Sequence, residues 1–294
     1  MQGILIVDKP AGFTSFDVIA KLRGICGTRK IGHSGTLDPM ATGVLPVFIG
    51  KAVKAVDMQA RHDKTYEAVM RLGLHTETGD TTGEIQTVVP IPASATESAV
   101  REALISFIGT QMQIPPMYSA VKVNGQRLYK AAREGKTVER TPRKITVHRI
   151  EVTDRLSQND YLLRIHCSRG TYIRTLIESI GEKLGTAATM SALRRVMANG
   201  YLLDNAYTLD QIQLAKDEGS LEKLLLNVDT VFYDLPSYNV KPEDMQRLLN
   251  GAIVYDVDAS DGRYRVYCKK QFIGVADAQA GCMRAEKMFV EENA

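Results

Sequence analysis

The run HSGTLDPMATGVLP, residues 33–46, sets a single carboxylate, Asp38, among three chain-bending residues, Gly35, Pro39 and Gly43. Apolar sequence follows at once, no second acid stands beside Asp38, and no metal-ligand pattern surrounds it. A lone carboxylate can act as nucleophile or base at carbon, above all at a sugar's anomeric centre, where a cation-like state develops. Glycosidases pair two acids because a water must be activated and a leaving group protonated. If the departing base stays in the pocket and re-bonds through another atom, no water is needed and one carboxylate suffices. The competing reading is structural, since an Asp before Pro commonly caps a turn through its own backbone. Spacing alone leaves both open.

The usual cofactor sites are missing. A triphosphate loop needs GxxxxGK[ST], but Gly50-Lys51 runs into Ala52 and lacks the upstream glycine. No Gly-x-Gly occurs for a dinucleotide loop, no GxSxG for an activated serine, and no PCxxC for a zinc deaminase. No two of the five histidines stand at ligand spacing along the chain. Catalysis is therefore expected to rest on side chains alone, without metal or cofactor.

Such side chains need elements to hold them. Residues 3–7 (GILIV) read as a buried strand closed by the turn Lys9-Pro10-Ala11-Gly12. Ser15 is the expected N-cap of an amphipathic helix that Gly24 and Gly27 stop. Residues 44–49 form an apolar strand, and 65–72 alternate as a strand with 84–89 as the expected hairpin partner. A helix capped by Thr96 or Ser98 ends near Gly109, and Pro115-Pro116 then breaks the chain. Residues 144–152 and 161–167 read as strands, 172–184 as a helix, 190–197 as a second helical stretch, and 209–226 as mostly helical. Beyond Leu235-Pro236, strand-like pieces at 252–257, 263–268 and 272–276 alternate with turns. The expectation is an α+β chain with a mixed sheet, followed by a small, mostly β module.

Composition sets the class and charge hints at the partner. With 44% hydrophobic and 24% charged residues the chain is that of a soluble globular protein. No run approaches the roughly 20 apolar residues that span a bilayer, and the opening MQGILIVDKP meets charge too soon for a signal peptide. Four separated cysteines suggest reduced thiols, so a cytoplasmic location is expected. Net charge is only +3, yet residues 122–149 hold nine Lys/Arg against two acids, a local +7. Gly125, Tyr129, Gly135 and Pro142 interleave with those charges. A basic, partly aromatic loop of this kind suits a polyanion, and nucleic acid in particular.

Taken together, GHSGTLDPMATGVLP resembles the signature of the tRNA pseudouridine synthase B (TruB) family, which isomerises uridine 55 in the tRNA T-loop. Further blocks resemble that family in its own order: Gly3-x4-Asp8-Lys9-Pro10-x-Gly12-x2-Ser15; Lys64-x-Tyr66 with Arg71-Leu72-Gly73 and Thr78-Gly79-Asp80; Pro115-Pro116-x-Tyr118-Ser119-Ala120-x-Lys122; Cys167-Ser168-x-Gly170-Thr171-Tyr172-Ile173-Arg174; and Leu193-Arg194-Arg195. They span about the first 200 residues. The resemblance implies a pseudouridine synthase catalytic domain over 1–235, with a basic thumb insertion at about 111–146. A PUA-like RNA-binding domain would occupy 236–294.

It also implies roles. Asp38 would be the catalytic aspartate that starts breakage of the N1–C1′ bond, with Gly35 and Gly43 letting the backbone approach the sugar. Tyr66 would lie against the flipped uracil and take its C5 proton, and Arg174 would pair with Asp38 and keep it ionised. His33, Tyr172, Leu193, Lys9, Lys122, Arg127 and Lys130 would contact substrate. The partner would be the tRNA T-stem-loop, with no metal, membrane or guide RNA, and the protein a monomer. A module that merely binds or folds RNA is the alternative, but a carboxylate facing phosphate weakens binding and so argues for chemistry.

Overall fold

In the computed structural model, residues 1–123 and 125–290 are described. The chain opens with β1 (Gly3–Lys9), α1 (Ser15–Cys26), β2 (Ile31–His33) and β3 (Thr42–Ile49), then β4 (Lys64–Leu72), β5 (Leu74–Thr76) and β6 (Ile85–Val88). Next come α2 (Glu97–Ile105), β7 (Gly109–Gln113), the short β8 (Lys122–Val123) and β9 (Gln126–Arg127), and α3 (Leu128–Arg133). The chain continues with β10 (Arg143–Arg155), β11 (Asp160–Cys167), α4 (Ile173–Lys183), β12 (Ala188–Ala198), β13 (Tyr201–Leu202) and α5 (Leu209–Asp217). Last are β14 (Ser237–Asn239), α6 (Pro242–Leu249), β15 (Gly262–Cys268), β16 (Gln271–Gln279) and β17 (Cys282–Met288).

Among the described residues the main sheet has nine strands, running β1-β3-β12-β4-β11-β10-β7, with β2 beside β3 and β13 beside β12. It is mixed, because β3 and β12 run parallel while its other pairs are antiparallel. One core lies between the sheet and α4, where Ile173, Leu176, Ile177 and Ile180 meet Tyr66, Met70, Leu163 and Ile165. A four-stranded sheet, β14-β15-β16-β17, follows. Its Val275 and Phe289 share an apolar cluster with Ile4, Ile6 and Phe48 of the main sheet, so the two units meet through buried side chains.

Several local expectations are corrected. The N-cap of α1 is Thr14, which forms a reciprocal capping box with Asp17. Residues 84–89 do not pair with β4; β6 pairs with β5 in a separate ribbon. Residues 252–257 form no strand, and only Val254 bridges to Met283. The largest correction is 190–197, which is the central strand β12 and not a helix. Its Met, Ala, Leu and Arg residues favour helix, but burial between β3 and β4 overrides that weak preference. Two register shifts, at Met190/Ala192 and Arg195/Met197, also break the two-residue alternation that would mark a strand. Finally, β7 pairs with β10 from Gly109↔Val147 to Gln113↔Arg143, so the basic insertion starts after Gln113 and ends before Arg143.

Candidate active site

The Asp38 loop joins β2 to β3 and is held from beneath. Ser15 Oγ, buried at the start of α1, accepts a hydrogen bond from Leu37 N at 2.9 Å. Lys9 is fully buried, and its Nζ donates to Pro10 O at 2.9 Å, Phe13 O at 2.5 Å and Pro39 O at 3.2 Å. Arg195 is also fully buried and donates to Val44 O at 2.7 Å, Gly35 O at 3.0 Å and Thr36 O at 3.4 Å. Two basic side chains thus tie carbonyls of the Asp38 loop to the β1–α1 turn and to β3. Gly43 has a structural reason of its own, since a Cβ there would lie 2.2 Å from Arg195 O.

Against this loop stands α4. Arg174 is 4% exposed, and its Nε lies 3.0 Å from Asp38 Oδ2 and 3.8 Å from Asp80 Oδ2. The other guanidinium nitrogens donate to Thr78 O at 2.6 Å and Tyr118 O at 2.8 Å. Asp80 is itself fixed by Thr78 Oγ1 at 2.8 Å and by Thr82 N at 3.0 Å. Burial pushes the Asp38 carboxyl above its ordinary range; Arg174 opposes that shift and Asp80 adds to it. Arg174 pulls the carboxyl pKa down as expected, and desolvation outweighs that pull.

Tyr66 lies on β4 directly opposite Arg195 on β12 and is 6% exposed. Burial raises its phenol pKa, against the pull of the Arg195 charge. Leu193 and Leu37 belong to the same buried cluster as Tyr66, which places an apolar wall beside the Asp38 loop. His33 ends β2, and its Nδ1 is buried without a partner among the described residues. Burial and the Arg195 charge lower its pKa, favouring the neutral ring. Tyr172 caps α4 through its backbone, whose N and O are both bonded to the Gln113 amide, at 2.8 and 3.0 Å. This site therefore brings Asp38, Arg174 and the buried Tyr66 phenol together, with Asp80 and Arg195 beside them.

Similarity to known proteins covers the same residues. A family model described as "TruB family pseudouridylate synthase (N terminal domain)" matches residues 23–173. A tRNA pseudouridylate synthase B C-terminal domain matches 174–233, and the C-terminal domain of pseudouridine synthase II TruB matches 236–289. The tRNA pseudouridine synthase B of Oenococcus oeni is 38% identical over 99% of each chain. That of Streptococcus pneumoniae is 40% identical, over 98% of this chain and 100% of its own. The chain belongs to the TruB family. A crystal structure of a Cbf5-Nop10-Gar1 complex shares its fold, at a TM-score of 0.72 and 27% identity, over 99% of this chain and 86% of that one.

Within this TruB-family site, Lys9 is scaffold for the Asp38 loop and not a substrate contact. Its amine is enclosed by three carbonyls and burial lowers its pKa to about 8, so it holds the Asp38 loop and does not face substrate. Gly43 serves the close approach of β3 to β12, not of backbone to sugar, while Gly35 faces Lys64 and Arg195. Lys122, Arg127 and Lys130 are exposed on β8, β9 and α3. The insertion also has a small core of its own, because Leu128 and Ala131 are buried. Asp80, Lys64 and Arg195 are the site residues that sequence reasoning passed over. Lys64 Nζ donates to His62 O at 2.5 Å, and burial together with Arg195 lowers its pKa to about 8. Each lies in a block already quoted, but a charged residue in such a block carries no sequence signal that it is buried.

Proposed function

We propose that this chain, an isomerase of tRNA uridine to pseudouridine, acts at uridine 55 of the T-loop. It works as a monomer in the cytoplasm without guide RNA, metal or nucleotide. The observation that carries the reading is the pairing of Asp38 with buried Arg174 in a loop that Lys9 and Arg195 lock in place. A group held this firmly is pre-organised, which is worth far more at a developing cationic sugar than in water. Asp38 starts rupture of N1–C1′; the freed uracil turns against Tyr66 and the Leu193 wall, and C5 bonds to C1′. The C5 proton then leaves and N1 gains one, so the reaction is balanced without water. The test is product analysis of an unmodified tRNA transcript incubated with EDTA-treated protein alone. One pseudouridine at position 55 is expected; a requirement for added RNA, nucleotide or metal would overturn the reading.

Tyr66→Phe separates two jobs. The ring for stacking is retained and the phenol is lost. Product formation is expected to fall at least a hundredfold with tRNA affinity near normal, because the buried phenol is the proton relay beside the base. Full activity in Tyr66→Phe would leave stacking as its sole task, and Tyr66→Leu would then be the damaging change.

The exposed cations of the insertion are assigned to tRNA phosphates. For Z contacts, log K should fall against log[salt] with a slope on the order of −0.7Z to −0.9Z. Neutralising Lys122, Arg127 and Lys130 together is expected to weaken binding and flatten that slope by about 2–3. Single-turnover rate at saturating tRNA should change little. A triple variant that keeps the wild-type slope would move the RNA contacts elsewhere. Arg195 is no candidate for that role, being fully buried.

A further inference from the structure

The face of the main sheet opposite Tyr66 carries a second cluster. Side chains alternate along a strand, so Thr65 and Glu67 on β4, and His166 and Arg164 on β11, point away from the Tyr66 face. His148 joins them through an irregularity in β10. Val147 pairs with Cys167 and Arg149 with His166, which leaves His148 as the extra residue of a bulge. Bulges re-aim side chains in this way. The result brings the His148 and His166 rings to a centroid distance of 4.9 Å. Asp63, just before β4, completes the group: Oδ2 lies 3.4 Å from His148 Nε2 and 4.0 Å from His166 Nε2.

We propose that Asp63, His148 and His166 form a site for a divalent cation of the zinc type. One ligand atom from each lies within 4.8 Å of the others. Tetrahedral zinc with bonds of about 2.0–2.1 Å wants its ligand atoms roughly 3.3 Å apart. The Asp63–His148 separation already meets that spacing, the Asp63–His166 separation is 4.0 Å, and with no pair beyond 4.8 Å a side-chain adjustment of the two rings closes the set. Thr65 Oγ1 lies 3.0 Å from His166 Nδ1, and such a bond to one ring nitrogen leaves Nε2 as the metal-facing lone pair.

Charge points the same way. Nearby Glu67 has Arg164 at 3.7 Å, and Glu151 has Arg149 at 2.7 Å. Among the described residues Asp63 has no Lys or Arg within 4.0 Å, only the two imidazoles. Two neutral nitrogens and one carboxylate make a donor set that zinc accepts, with water in the fourth position. The side chains are 45%, 38% and 35% exposed for Asp63, His148 and His166, so an ion can enter from solvent. An ion there would pin the segment leading into β4, and thus Lys64 and Tyr66, to β10 and β11. It lies across the sheet from Asp38 and takes no part in the isomerisation.

The experiment uses tag-free, EDTA-treated, full-length protein with zinc chloride as the probe, read by titration calorimetry and thermal melts. One zinc per chain is expected at micromolar or tighter dissociation constant, with the melting temperature rising as zinc is added. His148→Gln and Asp63→Asn should each weaken binding at least tenfold and remove the melt shift, while circular dichroism stays that of the wild type. Cys282→Ser, which removes the one cysteine that is not buried, should bind as the wild type does. Absence of stoichiometric zinc, or variants that bind as well as wild type, would overturn the proposal. So would loss of zinc in Cys282→Ser, since the ion would then sit on sulfur.

Discussion

Asp38→Asn is expected to slow turnover at least a thousandfold, about 4 kcal/mol of barrier, while leaving fold and tRNA affinity intact. The amide keeps the shape and can still meet Arg174, but it has no charge to place on a developing cation. Arg174 keeps Thr78 O and Tyr118 O, with Asp80 at 3.8 Å, so it is not left bare. The direction of the Asp38 shift adds two further expectations. Because burial raises its folded pKa, the folded chain binds this proton more tightly than the unfolded chain. Ionised Asp38 therefore costs stability above the folded pKa, and that cost disappears as pH falls through it. At neutral pH the Asn variant should be at least as stable as wild type in a denaturant titration. The wild-type rate should also fall on the acid side at a pH above the ordinary carboxylate value of 3.8. Residual turnover within tenfold, less than about 1.4 kcal/mol, would remove Asp38 from the chemistry.

How much of this was legible depended on whether the signal was local. The Asp38 loop could be read because its glycines, proline and acid sit within a few residues of one another. β1, β3, β4 and β11 could be read because each alternates or is continuously apolar. Strand β12 could not, since its stability comes from β3 and β4 on either side and two bulges scramble its period. Arg195 was hidden for a related reason. Nothing in Leu-Arg-Arg-Val says that one arginine reaches solvent-side Asp8, at 2.7 Å, while its neighbour is sealed beneath a loop. Ligand spacing along a chain detects pairs on one helix or turn. His148 and His166 are cross-strand neighbours, brought together by a bulge that residue spacing does not encode. Lys9 could be read as scaffold for the loop because it stands in the turn Lys9-Pro10-Ala11-Gly12, and three carbonyls within 3.2 Å hold its amine there.

Arg195→Met is expected to be the most destabilising single change at the site, on the order of 3 kcal/mol or more, and to slow catalysis as well. Two effects oppose each other. Removing the charge relieves Lys9, Lys64 and His33, on each of which Arg195 acts to lower the pKa. Against this, buried Val44 O loses its donor at a cost of about 1–3 kcal/mol, and the half-buried Gly35 O and the exposed Thr36 O lose theirs at smaller cost, since water can replace it. Together these losses exceed the relief, because Lys64 and His33 can lower their own cost by staying neutral. Methionine nearly matches the arginine stem in length, so the loss is one of hydrogen bonds and not of packing. The Asp38 loop would then keep Ser15, Lys9 and the bond from Gly12 N to Pro39 O, but lose its ties at Gly35 and Thr36, and Asp38 would sample positions away from Arg174. Well below its melting temperature the variant should bind tRNA normally yet turn over slowly. Arg195→Lys, able to reach only part of this set, should fall between the two. Wild-type stability and rate in Arg195→Met would mean that Ser15 and Lys9 suffice to shape the loop, and that the buried guanidinium adds nothing to the chemistry above it.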